Sequence, residues 1–423
     1  MSRTIDSVAR RAMFRVLANV KHGRLELIEP GGRKVFGLTR FEHPPTAVVE
    51  VRDPHFYTAF MRGSLGLAES YVEGEWDCGD LPALVAIGAR NMPAFDRLRA
   101  IYRVAEKPAR AFGTAWFDEH RHKHRTAGHY NIGNELFETF LDETMAYSCG
   151  VFAAPGDSLA DASREKFDRV CRKLRLAPGD RVIELGSGWG GFALHAAANY
   201  GCHVTTATIA AEQREYAERR VREAGLADLI AVVDSDFAGL RGRYDKLVSI
   251  EMIESIGWRR FEEFFRVCGK LLKHDGLMCL QAITIDDRAY EAEKMSRSFI
   301  NTLIFPGGSL PSNALIAGSI ARETDMRMLD FEDITPHYAE TLRRWREAFN
   351  GNFDRIRGRG YDERFSRLWN LYLAYCEAGF SERRILVSQS VFAMPGHTDA
   401  LRLPSPWSSS DVAIDAARDL RST

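Results

Sequence analysis

The stretch Arg181 to Gly191, RVIELGSGWGG, decides the fold. Val182 and Ile183 lie in a short apolar run that reads as a buried parallel strand. The run ends in Glu184-Leu185-Gly186-Ser187-Gly188-Trp189-Gly190-Gly191, and a helical pattern begins at Phe192. Strand, glycine turn and helix in that order aim unpaired N–H groups at a backbone that a ligand can approach closely, so the turn reads as a nucleotide cradle. The dinucleotide fingerprint is met only loosely. About 20 residues further on, where it expects an acid for the ribose, the strand Val204 to Ile209 ends without one. NAD is disfavoured.

A chain of 423 residues with 45% hydrophobic content is long enough for two cores. A net charge of −1 gives no nucleic-acid signature. The seven cysteines, Cys78, Cys149, Cys171, Cys202, Cys268, Cys279 and Cys376, are scattered without C-x-x-C spacing and read as reduced thiols. No run of about 18 apolar residues occurs without charge, so the expectation is a soluble protein or one resting on a membrane surface.

Residues 1 to about 20 alternate arginine with apolar residues at helical spacing, which predicts a basic amphipathic helix docked on its own domain or on lipid. Gly23 to Val51 has period two and predicts short antiparallel strands around the Pro30-Gly31-Gly32 turn. Gly63 to Tyr71, followed by Glu73-Gly74-Glu75-Trp76, reads as a loop and helix. Residues 84 to about 126 are helical and basic, with runs at Arg97 to Arg103 and Arg121 to Arg125. These fit a solvated linker or a surface that meets anionic phospholipid head groups, where each Lys or Arg contributes about 1 kcal/mol. Further strands are expected at Ile230 to Val233, Lys246 to Ile250, Leu277 to Ile285 and Ile385 to Phe392, with a helix over His337 to Trp345 and the stretch Tyr372 to Phe380 leading into the last strand. The ends of the first four parallel strands fall on one sheet edge, where open α/β sheets bind ligands. The Ser/Pro-rich tail from Pro404 reads as disordered.

The E-x-G-x-G turn resembles the first motif of class I S-adenosylmethionine (SAM) methyltransferases. Gly63-Ser64-Leu65-Gly66-Leu67-Ala68-Glu69-Ser70-Tyr71, the segment Gly128 to Phe137 with Asn131 in place of the usual aspartate, Met145-Ala146-Tyr147-Ser148-Cys149, Thr208 to Gln213 and Ile304 to Ser312 all resemble the cyclopropane-fatty-acyl-phospholipid synthase and mycolic acid methyltransferase family. The likeness covers roughly residues 20 to 395. It implies a Rossmann-like catalytic domain over 116–395 built on a mostly parallel seven-stranded α/β sheet, a smaller α+β lipid-binding domain over 1–115, and a flexible tail over 396–423.

The resemblance assigns cofactor contacts to Tyr147, Ser148, Glu184, Gly186, Gly188, Thr208, Gln213, Asp236 and Phe237, and no metal. It implies a bicarbonate ion as general base, cradled by Cys149, Glu254, Gln281, Ile283 and Tyr338. Gln281 stands where the family usually has histidine, an amide that exchanges no proton at neutral pH. The implied reaction is SAM-dependent methyl transfer to a cis double bond of phospholipid acyl chains, closing a cyclopropane. A methylene- or methyl-branched product, completed by a reductase partner, is the second branch. The implied setting is cytoplasmic, on the inner face of the membrane, with a homodimer compatible with it. A non-catalytic lipid-binding protein would have degraded cofactor motifs, and a methyltransferase for small molecules or proteins would not need Glu254 and Tyr338. Neither fits as well.

Overall fold

The computed structural model describes residues 2–38, 44–102, 133–294 and 296–398. The side chains of Arg97 to Arg103, the run Arg121 to Arg125, the segment Gly128 to Ile132 with Asn131, the 115/116 boundary and the tail from Pro404 lie outside the described residues.

Strand β1 (Gly23–Glu29) turns at Pro30-Gly31 into β2 (Gly32–Leu38). Strands β3 (Thr46–Val51) and β4 (Trp76–Cys78) complete a sheet ordered β2-β1-β3-β4. One expectation needs correction here: β1 and β3 pair in parallel, with Arg24 opposite Thr46. Strand β2 finishes beside the start of β1, Leu38 opposite Gly23, so a strand entering the free edge of β1 from there runs the same way as β1. The first helix, Ser2–Leu17, docks on this sheet through Ala9, Met13 and Leu17, and Arg10 forms an ion pair with Glu29. Its domain-docked reading therefore holds.

The second sheet contains β5 (Arg181–Leu185), β6 (His203–Thr208), β7 (Ile230–Asp234), β8 (Tyr244–Ile250), β9 (Leu272–Ile285), β10 (Arg327–Asp333) and β11 (Ile385–Ala393), in the order β10-β11-β9-β8-β5-β6-β7. Strands β5 to β9 pair in parallel, and β11 pairs antiparallel with both β9 and β10. The fold is therefore α/β with a mostly parallel seven-stranded sheet. Helices cover both faces, which explains why the central strands are apolar without alternation. Helix Phe261–Leu271 shows how sequence directs this packing: Phe261, Phe264, Phe265, Cys268 and Leu271 recur at helical spacing and are all buried.

The two sheets share one apolar cluster, in which Leu27, Val49 and Trp76 of the small sheet join Trp345, Phe349, Trp369 and Phe380. Arg367, on helix Glu363–Ser381, pins them together. It lies 3.9 Å over the Tyr71 ring and donates to the carbonyls of Tyr71 (2.7 Å) and Trp76 (2.9 Å).

Helices His55–Met61 and Gly63–Val72 explain the glycine of the Gly63 to Tyr71 motif. A Cβ on Gly66 would lie 2.3 Å from the Ala59 carbonyl oxygen. That neighbour is backbone, which cannot swing away. Gly66→Ala is therefore expected to destabilise the protein by about 1–3 kcal/mol, read as a lower midpoint in thermal unfolding. An unchanged midpoint would show that the two helices separate at little cost.

Candidate active site

A cleft of about 240 Å³ opens at the carboxyl ends of β5, β6, β7 and β8, and all nine residues assigned to the cofactor line it: Tyr147, Ser148, Glu184, Gly186, Gly188, Thr208, Gln213, Asp236 and Phe237. The turn needs its glycines for two different reasons. Gly186 has φ +94°, and a Cβ there would stand 2.7 Å from Met252. Gly188 has φ +48° with nothing within 4 Å, so a side chain would extend into the open cleft.

Glu184 is buried and accepts a hydrogen bond from Thr206 (2.6 Å), and burial pushes its carboxyl up to about 8. Thr208 donates to Gln213 (3.1 Å) and accepts from the Ala210 amide (3.1 Å), which fixes the mouth of the following helix. Asp236 receives both guanidinium nitrogens of Arg260, at 2.8 and 3.1 Å, and this pairing holds it below the usual carboxylate range. Arg260 also stands 4.3 Å from the Phe237 ring and lines the cleft. The sequence reading missed it, although Trp258-Arg259-Arg260 closely follows β8.

Lys166 was missed as well. It is fully buried and donates to Ser148 (2.6 Å), and burial lowers its pKa. The readable signal was a lysine on the same helical stripe as Ala162, Phe167, Val170 and Cys171 of helix Leu159–Lys173.

Beside the cleft the structure departs from the sequence reading. Cys149, Gln281 and Tyr338 do converge, but on Glu251. The Cys149 amide (2.9 Å) and the Gln281 side-chain amide (2.7 Å) donate to its Oε1, and the Tyr338 hydroxyl (2.6 Å) donates to its Oε2. Gln389, opposite Gln281 on the neighbouring strand, donates to the Gln281 Oε1 (3.0 Å) and so turns the Gln281 NH₂ toward Glu251.

Glu254 and Ile283 pair with each other instead. The Ile283 amide donates to Glu254 Oε1 (2.5 Å), and Glu254 Oε2 is buried without a hydrogen-bond partner among the described residues. Burial, reinforced by the nearby Glu251 charge, pushes the Glu254 carboxyl up to about 8. The five cradle residues are thus brought together, but they do not fit a bicarbonate ion: the Cys149, Gln281 and Tyr338 donors are taken by a carboxylate of the chain itself, and the Ile283 amide is taken by Glu254 Oε1, so that of the five only Glu254 Oε2 is left unpartnered among the described residues. Among the described residues no group of three or more His, Cys, Asp or Glu could hold a metal.

Residues 117–390 match the family model described as mycolic acid cyclopropane synthetase. The chain is 37% identical over 349 residues to the tuberculostearic acid methyltransferase UfaA1 of Mycobacterium tuberculosis, covering 80% of this chain and 79% of that protein. It is 33% identical over 357 residues to the cyclopropane-fatty-acyl-phospholipid synthase of Escherichia coli, covering 82% and 88%. Among solved structures it resembles the mycolic acid cyclopropane synthase CmaA1 complexed with SAH and CTAB, with a TM-score of 0.59 and 28% identity over 63% of this chain and 96% of that one.

Two expectations follow from the geometry. Gly188→Val should cost about 1–2 kcal/mol of stability, because φ +48° disfavours a residue with a Cβ, and should weaken SAM binding at least tenfold in calorimetry because its side chain enters the cleft; a folded variant with unchanged affinity would refute the placement. The second concerns pH. The folded Glu254 pKa, about 8, lies above its ordinary 4.5, so its stabilising contribution is complete below about 4.5 and is lost as pH rises through about 8. The thermal midpoint should therefore fall across that window, and fall less steeply in Glu254→Gln, with Glu184 keeping part of the slope.

Proposed function

The chain belongs to the mycolic acid cyclopropane synthetase family and is a SAM-dependent methyltransferase, and from that premise we propose that it methylates the cis double bond of unsaturated acyl chains in membrane phospholipids, yielding cyclopropane fatty acids. The observation that supports this most is a half-buried carboxylate, Glu251, which lines the cofactor cleft and accepts from Tyr338, a member of a packed aromatic group. Tyr338 stacks on Phe380 at 4.3 Å and meets Trp345 edge-on at 6.1 Å. Tyr147 lies 5.3 Å from Trp345 and shares a 2.6 Å hydroxyl contact with Tyr372, whose ring meets Phe305 at 5.6 Å.

These surroundings suit the chemistry. An unactivated alkene is a poor nucleophile, so rate must come from alignment and exclusion of water rather than from an ionised acceptor. The carbocation left on the acyl chain is stabilised by ring faces, and it needs a base for its proton. When bound, SAM supplies an electrophilic methyl group on sulfonium sulfur; Gly186, Gly188, Thr208, Gln213 and Asp236 are the residues that would hold it.

The phospholipid acceptor rests on the name of the Escherichia coli relative. A second reading, a methyl- or methylene-branched chain, is favoured by one comparison: a relative at 37% identity is named for methyl transfer rather than ring closure. Among the described residues no helix is long and apolar enough to cross a membrane, and access to bilayer lipid by peripheral contact on the cytoplasmic face is part of this proposal.

Mass spectrometry of lipids from a host expressing the protein should show unsaturated phospholipids gaining one CH₂ unit, and NMR should show ring protons for the first reading or olefinic methylene protons for the second. Unaltered lipids, with SAM still bound by the purified protein, would exclude both. Co-sedimentation with anionic vesicles should weaken as salt rises; binding indifferent to salt would exclude an electrostatic surface contact.

A further inference from the structure

We propose that Glu251 is a catalytic residue: its carboxylate occupies the place of an exchangeable anion and takes the substrate's proton, so that turnover requires no bicarbonate. The inference rests on the proposed methyl transfer to an alkene.

Three observations carry it. The first is occupancy. Each of the three hydrogen bonds to Glu251 comes from a donor, namely the Cys149 amide, the Gln281 NH₂ and the Tyr338 hydroxyl. A carboxylate offers about four lone-pair sites, so one is left to receive a proton. The second is position. Glu251 follows β8 directly, at the carboxyl edge of the sheet, and lines the cofactor cleft, whereas Glu254 does not.

The third is backbone geometry. Glu251 has φ +49°, in the left-handed region that a residue with a Cβ enters at a cost of about 1–2 kcal/mol. Its amide is held there by the Gln281 carbonyl (2.8 Å). Strain of this kind persists where the surroundings over-determine it, and here it delivers the side chain to the three donors.

Charge is consistent with the assignment. Burial raises the Glu251 pKa, while the three donors and buried Lys166 oppose that rise. Glu254, at about 8, is neutral at pH 7, which leaves Glu251 as the carboxylate of the pair. The step is a proton transfer. A C–H bond of the newly added methyl group breaks, and its electron pair closes the three-membered ring onto the cationic carbon or, after a 1,2-hydride shift has moved the cation to the methyl-bearing carbon, forms the new C=C bond; the proton goes to the free lone pair of Glu251. The resulting carboxylic acid returns that proton to water when product leaves. Gln281, oriented by Gln389, is a positioning residue.

The test uses the full chain, with unsaturated phosphatidylglycerol vesicles and bicarbonate-depleted buffer. Wild-type rates should be equal with and without added bicarbonate. Glu251→Gly should lose at least a hundredfold in rate, the usual contribution of a general base, with SAM affinity unchanged by calorimetry. The space it opens should let added bicarbonate or formate restore part of the rate. Glu251→Gln, of the same size, should be as slow and resist rescue, which guards against a folding defect in the glycine variant. Independently of activity, ¹³C-bicarbonate NMR should detect binding to Glu251→Gly and none to wild type.

Bicarbonate binding to wild type with several-fold stimulation would overturn the inference, and so would a Glu251→Gln variant at the wild-type rate. If wild type methylates no unsaturated lipid in any buffer, the substrate reading fails instead. The NMR comparison then decides separately whether Glu251 fills the anion site: labelled bicarbonate on wild type refutes it, and binding confined to Glu251→Gly upholds it.

Discussion

Four parts of the chain meet at the Glu251 carboxylate: the loop at Cys149, the end of β8, the middle of β9 through Gln281, and helix Thr335–Asn352 through Tyr338. Burying a charge is costly unless it is fully hydrogen-bonded, so this one contact constrains how those four elements approach one another. The constraint spreads outward. Gln281 is oriented by Gln389 on β11, and Tyr338 is clamped between Phe380 and Trp345. Phe380 in turn belongs to the cluster that seats the small N-terminal sheet. The polar centre and the apolar core are therefore one mechanical unit.

Electrostatically the site is economical. Glu184 and Lys166 are buried, Glu251 and Glu254 are half-buried as residues, and all four stand at or beside one cleft, where four separate charges would be costly. Two of the acids avoid ionisation: Glu184 and Glu254 are both pushed up to about 8 and are neutral at pH 7. That leaves Glu251 and the lysine, whose attraction offsets part of their mutual desolvation. Removing Lys166 would leave Glu251 supported by hydrogen bonds alone.

Much of the fold was legible because the central strands are continuous β-branched and apolar runs, and the cofactor cleft was legible because Gly186, Gly188, Thr208 and Gln213 lie at the strand ends in fixed order. Strand β10 was not, since Arg327–Asp333 is almost wholly exposed and its sequence, RMLDFED, carries no alternating apolar face. Strand β4 is three residues long, too short for any period. At the site, Glu251-Met252-Ile253-Glu254 offers two acids three residues apart. It is Glu251, at φ +49°, that reaches Tyr338, and the spacing of the two acids does not show which one will. Gln389 was invisible for a related reason: its role appears only when register places β11 against β9.

A base built into the chain differs from a diffusible anion in reach. A captured ion can settle wherever the cradle and substrate together allow, whereas a carboxylate tethered at φ +49° and held by three donors has one orientation and one free lone pair. Its presence at the site is constant, independent of any ion's concentration, which replaces a binding equilibrium by preorganisation. The consequence falls on the product. On the proposed chemistry the proton comes from the newly added methyl group, and the seating of the acyl chain decides when that methyl meets the lone pair. Ring closure and branching, on that chemistry, differ in how long the cation survives before that lone pair meets the new methyl, so a chain seated with its methyl against Glu251 closes a ring and one seated away from it leaves time for the hydride shift.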